Sequence, residues 1–130
     1  MRLIHKVTPL FQVFDMETSV DFYCNKIGFT LEASYEPYGI LYWASLKLGQ
    51  AELMLNARFE EEERPPEPDL VRRESHKDTE LYFECEDVDE VYVHLCEQGV
   101  EAIAPKSTHG RKEILITDPD GFCLSFYQGT

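Results

Sequence analysis

The chain has 130 residues, 43% of them hydrophobic and 12% aromatic, and a formal net charge of -13. That length allows one domain with a real core, and no apolar run approaches the roughly 20 residues that a bilayer span needs. The acidic balance repels phosphate backbones and anionic lipid, so nucleic acid and membrane are poor partners. The opening Met1–Lys6 has no long apolar segment and no small-residue cleavage site. Cys24, Cys85, Cys96 and Cys123 are scattered, with no Cys-x-x-Cys pair. A zinc knuckle is therefore not expected, and a reducing, cytoplasmic location is.

In chain order, Val7 to Phe14 reads as a strand, with Pro9 marking an edge or a strand end. Asp15 caps a helix carrying Met16, Val20, Tyr23, Cys24 and Ile27 at helical spacing, and Gly28 closes it. Strands are expected over 29–35, 40–48 and 51–57, separated by Glu36-Pro37-Tyr38-Gly39 and Gly49-Gln50 turns. The stretch 59–77 breaks the pattern with Glu60-Glu61-Glu62-Glu63, Pro65-Pro66 and Pro68, and reads as a mobile linker or lid. A strand over 79–85 follows. Asp87 then caps a helix with Val88, Val91, Tyr92 and Leu95 on its apolar stripe, and Gly99 ends it. His94 is placed on the surface of that helix and His76 in the mobile loop. Strands near 100–104, 113–117 and 122–127 finish the chain. The last two flank Asp118-Pro119-Asp120-Gly121, whose residues suit successive positions of a tight turn. Phe122, Leu124 and Phe126 make one greasy face there; Cys123, Ser125 and Tyr127 make a mixed one.

The two halves, 1–58 and 78–130, repeat one plan: strand, Asp-capped helix, Gly stop, three strands. The span from Asp15 to Gly28 is one residue longer than that from Asp87 to Gly99. A unit of this size is marginal alone. The fold class expected is α+β, with two βαβββ modules in one domain sharing a curved sheet. Helices would cover its convex face and leave a concave cavity.

The segments Phe14-Asp15 through Phe22-Tyr23 to Ile27-Gly28-Phe29, then 81–89, then Asp118-Pro119-Asp120-Gly121 resemble the vicinal oxygen chelate superfamily of glyoxalases, bleomycin resistance proteins and extradiol dioxygenases. The resemblance covers nearly the whole chain outside 59–77, and Gly110-Arg111 followed by Glu113 looks closest to the bleomycin-resistance pattern. It implies paired modules, homodimers, and four metal-holding positions on the first and last strand of each module. By spacing and parity those positions fall on Thr8, Glu52, Glu80 and Ser125. The family's metalloenzymes commonly carry His or Glu there. A hydroxyl from Thr8 or Ser125 is a weak ligand for zinc, nickel or manganese. No tightly held metal is therefore expected. Any weakly bound divalent ion would rest on Glu52 and Glu80.

With Thr8, Glu52, Glu80 and Ser125, the residues of cavity parity are Gln12, Trp43, Asn56, Tyr82 and Tyr127. Trp43 offers a stacking surface for a planar or cationic ligand, Glu52 and Glu80 face the cavity from opposite walls, and Arg111 grips an acidic group or a partner subunit. The expected function is binding of a small organic ligand, aromatic or cationic. The alternative is a metal-dependent lyase, isomerase or dioxygenase acting on a vicinal-oxygen substrate. No side-chain pairing spells a nucleophile.

Overall fold

Alternating apolar and polar positions fold here as two separate sheets, one from each half of the chain. The computed structural model describes residues 2–129. The first module comprises β1 (Leu10–Val13), α1 (Met16–Val20), β2 (Thr30–Tyr35), β3 (Trp43–Leu48) and β4 (Ala51–Ala57), in sheet order β1-β4-β3-β2. A short helix, α2 (Leu70–Ser75), lies in the connection. The second module comprises β5 (Glu80–Glu84), α3 (Val88–Glu97), β6 (Lys106–Thr108), β7 (Arg111–Thr117) and β8 (Cys123–Gly129), in order β5-β8-β7-β6. In both, the first strand pairs in parallel with the last and the other pairings are antiparallel. This is an α+β fold of two βαβββ modules. The single continuous sheet expected from the repeat is instead two four-stranded sheets.

The helices start where the aspartates put them. Asp15 Oδ1 accepts from the Glu17 and Thr18 amides, and Asp87 Oδ1 from those of Asp89 and Glu90, satisfying amides that have no partner inside the helix. The extra residue of the first helix is absorbed by a change of winding. From Asp21 to Ile27 the helix is π, and the Gly28 amide reaches back to the Tyr23 carbonyl at 3.0 Å. Tyr23 and Ile27 thereby both stay buried.

Four segments depart from the sequence reading, among them β3, which begins at Trp43 rather than Ile40. β1 begins at Leu10 rather than Val7, since Pro9 has no N–H to give, though its carbonyl accepts from the Met54 amide at 2.9 Å. The strand expected near 100–104 forms at Lys106–Thr108, because the Val100 amide is bonded to Leu95 at the end of α3. The 59–77 connection is not a bare linker: α2 is capped by Asp69 and flanked by 3-10 turns at Glu61–Glu63 and His76–Asp78.

One apolar core serves both modules. Ala44, Leu46, Leu53 and Leu55 of the first sheet and Ile114, Ile116, Leu124 and Phe126 of the second turn inward, with Tyr23, Ile27, Val88 and Leu95 from the helices. At about 1.5–3 kcal/mol for each large apolar side chain removed from water, this layer dominates the stability of the domain. Phe29 meets Phe83 edge-on at 6.1 Å, and Phe11 stacks on Phe122 at 3.8 Å, so the modules join through their helix-covered faces.

The Asp118–Gly121 turn, read from sequence as a hairpin end, is a buried junction. Asp118 and Asp120 are 1% and 5% exposed. Asp118 Oδ1 accepts the Asp120 and Phe122 amides, and its Oδ2 accepts the Tyr23 hydroxyl at 2.6 Å. Asp120 accepts the Phe14 amide and the Ser19 hydroxyl from the first module. From the connection, Arg72 lies 3.6 Å from Asp120 Oδ1 and donates to the Gln12 carbonyl at 2.7 Å. Burial pushes the Asp118 carboxyl up to about 6, against the lowering effect of the Tyr23 and Phe122 hydrogen bonds.

Candidate functional site

Each sheet turns the opposite parity outward, and these open faces carry the residues singled out from sequence. On the first sheet the register sets Gln12 beside Asn56 and Asn56 beside Trp43. Asn56 Nδ2 donates to Gln12 Oε1 at 3.1 Å. Thr8 lies just before β1 and is half-buried. Trp43 is half-buried, with the more exposed Tyr35 opposite it on β2. Glu52 sits beside Lys47 and is paired with the Lys6 ammonium, and that hydrogen bond holds its carboxyl below the usual range.

On the second sheet Tyr82 neighbours Ser125, Tyr127 neighbours Glu113, and Ser125 neighbours Leu115. The Arg111 guanidinium carbon stands 5.1 Å from the centre of each tyrosine ring, Tyr82 and Tyr127, whose rings are 6.0 Å apart and inclined at 67°. Such cation–ring contacts are worth about 0.5–1 kcal/mol each where partly exposed. The Tyr82 hydroxyl donates to Glu80 Oε2 at 3.3 Å, and the negative charge of Glu80 raises the phenol's pKa, with burial and Glu113 adding to it. Ser125 is buried at the floor. Sequence reasoning missed Glu113. Its parity with Arg111 on β7 was the available signal. Its Oε2 is buried and accepts no hydrogen bond among the described residues, and Arg111 Nε stands 3.4 Å away, close enough for ionic attraction only.

The predicted residues therefore form two groups. Thr8, Gln12, Trp43, Glu52 and Asn56 belong to the first open face; Glu80, Tyr82, Arg111, Ser125 and Tyr127 belong to the second. Among the described residues, no hydrogen bond, ion pair or aromatic contact joins one group to the other. Glu52 and Glu80 stand on different sheets. Among the described residues, no three His, Cys, Asp or Glu side chains are grouped to hold a metal ion. Two carboxylates and two hydroxyls divided between two faces do not fit a metal centre within one chain.

Two histidines lie elsewhere than the sequence suggested. His94 is half-buried, its Nε2 3.0 Å from the Lys26 carbonyl, because α3 packs against the π-helical turn. His76 stacks on Phe122 at 4.0 Å, with Nδ1 2.8 Å from the Asp120 carbonyl, so the connection is anchored there. A groove of about 1160 Å³ runs between the modules, walled by the β3–β4 turn, by β5 and by α3. Of the candidate residues only Tyr82 lines it, so the groove meets the second open face at the β5 edge, where Glu84 lines it too. Among the described residues no helix is long and apolar enough to cross a membrane.

The profile of the Glyoxalase/Bleomycin resistance protein/Dioxygenase superfamily matches residues 3–126. No curated protein sequence matches the chain. Among solved structures, the chain is similar to TnmS3, an antibiotic binding protein from Streptomyces sp. CB03234, at 26% identity over 100% of this chain and 99% of that one, with a TM-score of 0.74. It is also similar to a glyoxalase/bleomycin resistance protein from the same Streptomyces strain, at 27% identity over 93% and 97% of the two chains and a TM-score of 0.67. A glyoxalase/bleomycin resistance protein/dioxygenase from Nocardioides shares the fold at 20% identity, over 97% and 84% of the chains, with a TM-score of 0.72.

Proposed function

The chain belongs to the Glyoxalase/Bleomycin resistance protein/Dioxygenase superfamily, and on that footing we propose that it binds a small planar aromatic molecule without a tightly held metal. The observation that carries this reading is the Tyr82–Arg111–Tyr127 cluster, a pre-formed stacking surface on an open sheet face. Planar ligands stack on aromatic rings and on guanidinium planes alike. The similarity to an antibiotic binding protein over the full chain points the same way.

In this reading the protein is a homodimer in the cytoplasm, where its four free thiols persist. The first open face of one copy closes over the second open face of the other. Thr8, Gln12, Trp43, Glu52 and Asn56 then oppose Glu80, Tyr82, Arg111, Ser125 and Tyr127 across one cavity. The exposed Leu10 on the first open face and Tyr82 and Leu115 on the second support it, since apolar surface on an open sheet face favours a cover. Titration of Trp43 fluorescence with a panel of planar aromatic compounds, neutral and cationic, tests the reading. A saturable change that Arg111→Ala abolishes is expected. No response to any compound, or stoichiometric divalent metal in protein purified without chelator, overturns it, the latter in favour of a metal-dependent enzyme.

A further inference from the structure

The geometry points to Glu113 as the residue that selects the ligand's polar group. It favours a neutral head group that both donates and accepts hydrogen bonds, such as a carboxamide, over a carboxylate or an amidinium. The inference rests on the binding reading above and deepens it.

Arg111 and Glu113 project from alternate positions of β7 onto the same open face, with Tyr127 opposite Glu113 in register. Arg111 stands over the Tyr82 and Tyr127 rings, and its Nε lies 3.4 Å from Glu113 Oε2. Its two terminal nitrogens make no hydrogen bond among the described residues, and the side chain is partly exposed, so a flat donor fork remains free for a ligand. Beside it, Glu113 Oε2 is removed from water and accepts no hydrogen bond. Its ion pair with Arg111 Nε offsets part of the cost of burying that oxygen, and a donor that reaches the carboxylate offsets more. The site thus offers a donor fork and an acceptor with no hydrogen bond of its own, side by side next to two tyrosine rings.

Charge decides which ligand group fits. Arg111 and Glu113 cancel as a pair. An anion seated on the fork would lie against the Glu113 carboxylate, with Glu80 on the same face. A cation seated on Glu113 would lie against Arg111. A carboxamide gives its carbonyl oxygen to the fork and its N–H to Glu113, with no like charges brought together.

The test uses three matched probes: naphthalene-2-carboxamide, 2-naphthoate and naphthalene-2-carboxamidine, titrated calorimetrically into the intact protein. The carboxamide is expected to bind at least about tenfold more tightly than either charged probe, the scale of one hydrogen bond to a charged partner. In Glu113→Gln the carboxamide's lead over 2-naphthoate is expected to collapse, because the unopposed Arg111 then welcomes the anion. An affinity order that is unchanged in Glu113→Gln reduces Glu113 to a structural ion-pair partner and overturns the inference. So does a charged probe binding tightest to the parent. Should Glu113→Gln not fold, Glu113→Asp keeps the charge and withdraws the oxygen. A carboxamide affinity unchanged by that substitution is equally fatal. If none of the three probes binds, the underlying binding reading fails and takes this one with it; if all three bind alike, only this one fails.

Discussion

The Tyr23 hydroxyl donates a 2.6 Å hydrogen bond to Asp118 Oδ2, tying the helix of the first module to the turn of the second across a separation of 95 residues. Both side chains are fully buried. The bond therefore joins two halves that have no sheet in common.

Replacing Tyr23 by Phe removes the donor and leaves Asp118 Oδ2 without a partner in the interior. The expected cost is about 1–3 kcal/mol of stability, the usual penalty for an orphaned buried acceptor. Urea denaturation reads it as a lower midpoint with an unchanged slope. A loss well under about 0.5 kcal/mol would mean that water reaches the carboxylate and that the junction is looser than described.

Asp118 gives the stability a pH dependence whose sign is fixed by its raised pKa. The folded carboxyl titrates at about 6, against an ordinary value of 3.8. Between those values the folded state holds a proton that the unfolded state has released. The stabilisation this provides is complete below the ordinary value and is lost as the pH rises to about 6. Asp118→Asn lacks the titration. The stability of Asp118→Asn minus that of the parent is expected to climb between about pH 4 and pH 6 and to level off above, by roughly 3 kcal/mol at most. Parallel stability curves for the two proteins would show that the carboxyl titrates normally.

Gly121 has φ of +92°, and a Cβ there would stand 2.1 Å from the carbonyl oxygen of Arg73 at the end of α2. Neither the turn nor the helix backbone can give way without breaking its own hydrogen bonds. Gly121→Ala is expected to cost about 3 kcal/mol or more, combining left-handed strain with overlap. A thermal midpoint within a degree or two of the parent's would contradict the close approach of α2 to the turn.

The π segment makes the two helices unequal in their tolerance of deletion. Removing the exposed Asn25 takes out the residue that the wide turn absorbs, and the segment can rewind as α without rotating Met16 or Tyr23. Removing the exposed Val93 from α3 turns Leu95 by about 100° away from the core. The first deletion is expected to give a folded, cooperatively melting protein and the second to unfold the domain. Circular dichroism melts distinguish them.

Much of the fold was legible because strands alternate. Trp43 and Ser45 fall on one side and the buried Ala44 and Leu46 on the other, as period two requires. The caps at Asp15 and Asp87 were legible because they act within three residues. What escaped was long-range. Nothing local marks Asp118 and Asp120 as buried, since their partners Tyr23, Ser19 and Phe14 lie about a hundred residues away. The anchoring of His76 on Phe122 was hidden for the same reason, under a composition that reads as linker. The open-face residues could be grouped sheet by sheet, but parity says nothing about how one sheet stands to the other. Glu113 was passed over because charge near a chain reversal looks solvated until burial is seen.

The bonds crossing from Phe14, Ser19 and Tyr23 to the Asp118–Gly121 turn do not run through the peptide linkage between the halves. A protease that nicks the acidic stretch at Glu60–Glu63 would sever the polypeptide and leave one particle, because the junction bonds and the shared core hold the halves together. Two separately synthesised pieces, divided there, would carry complementary surfaces and find each other in a test tube, as the jaws of a clasp do.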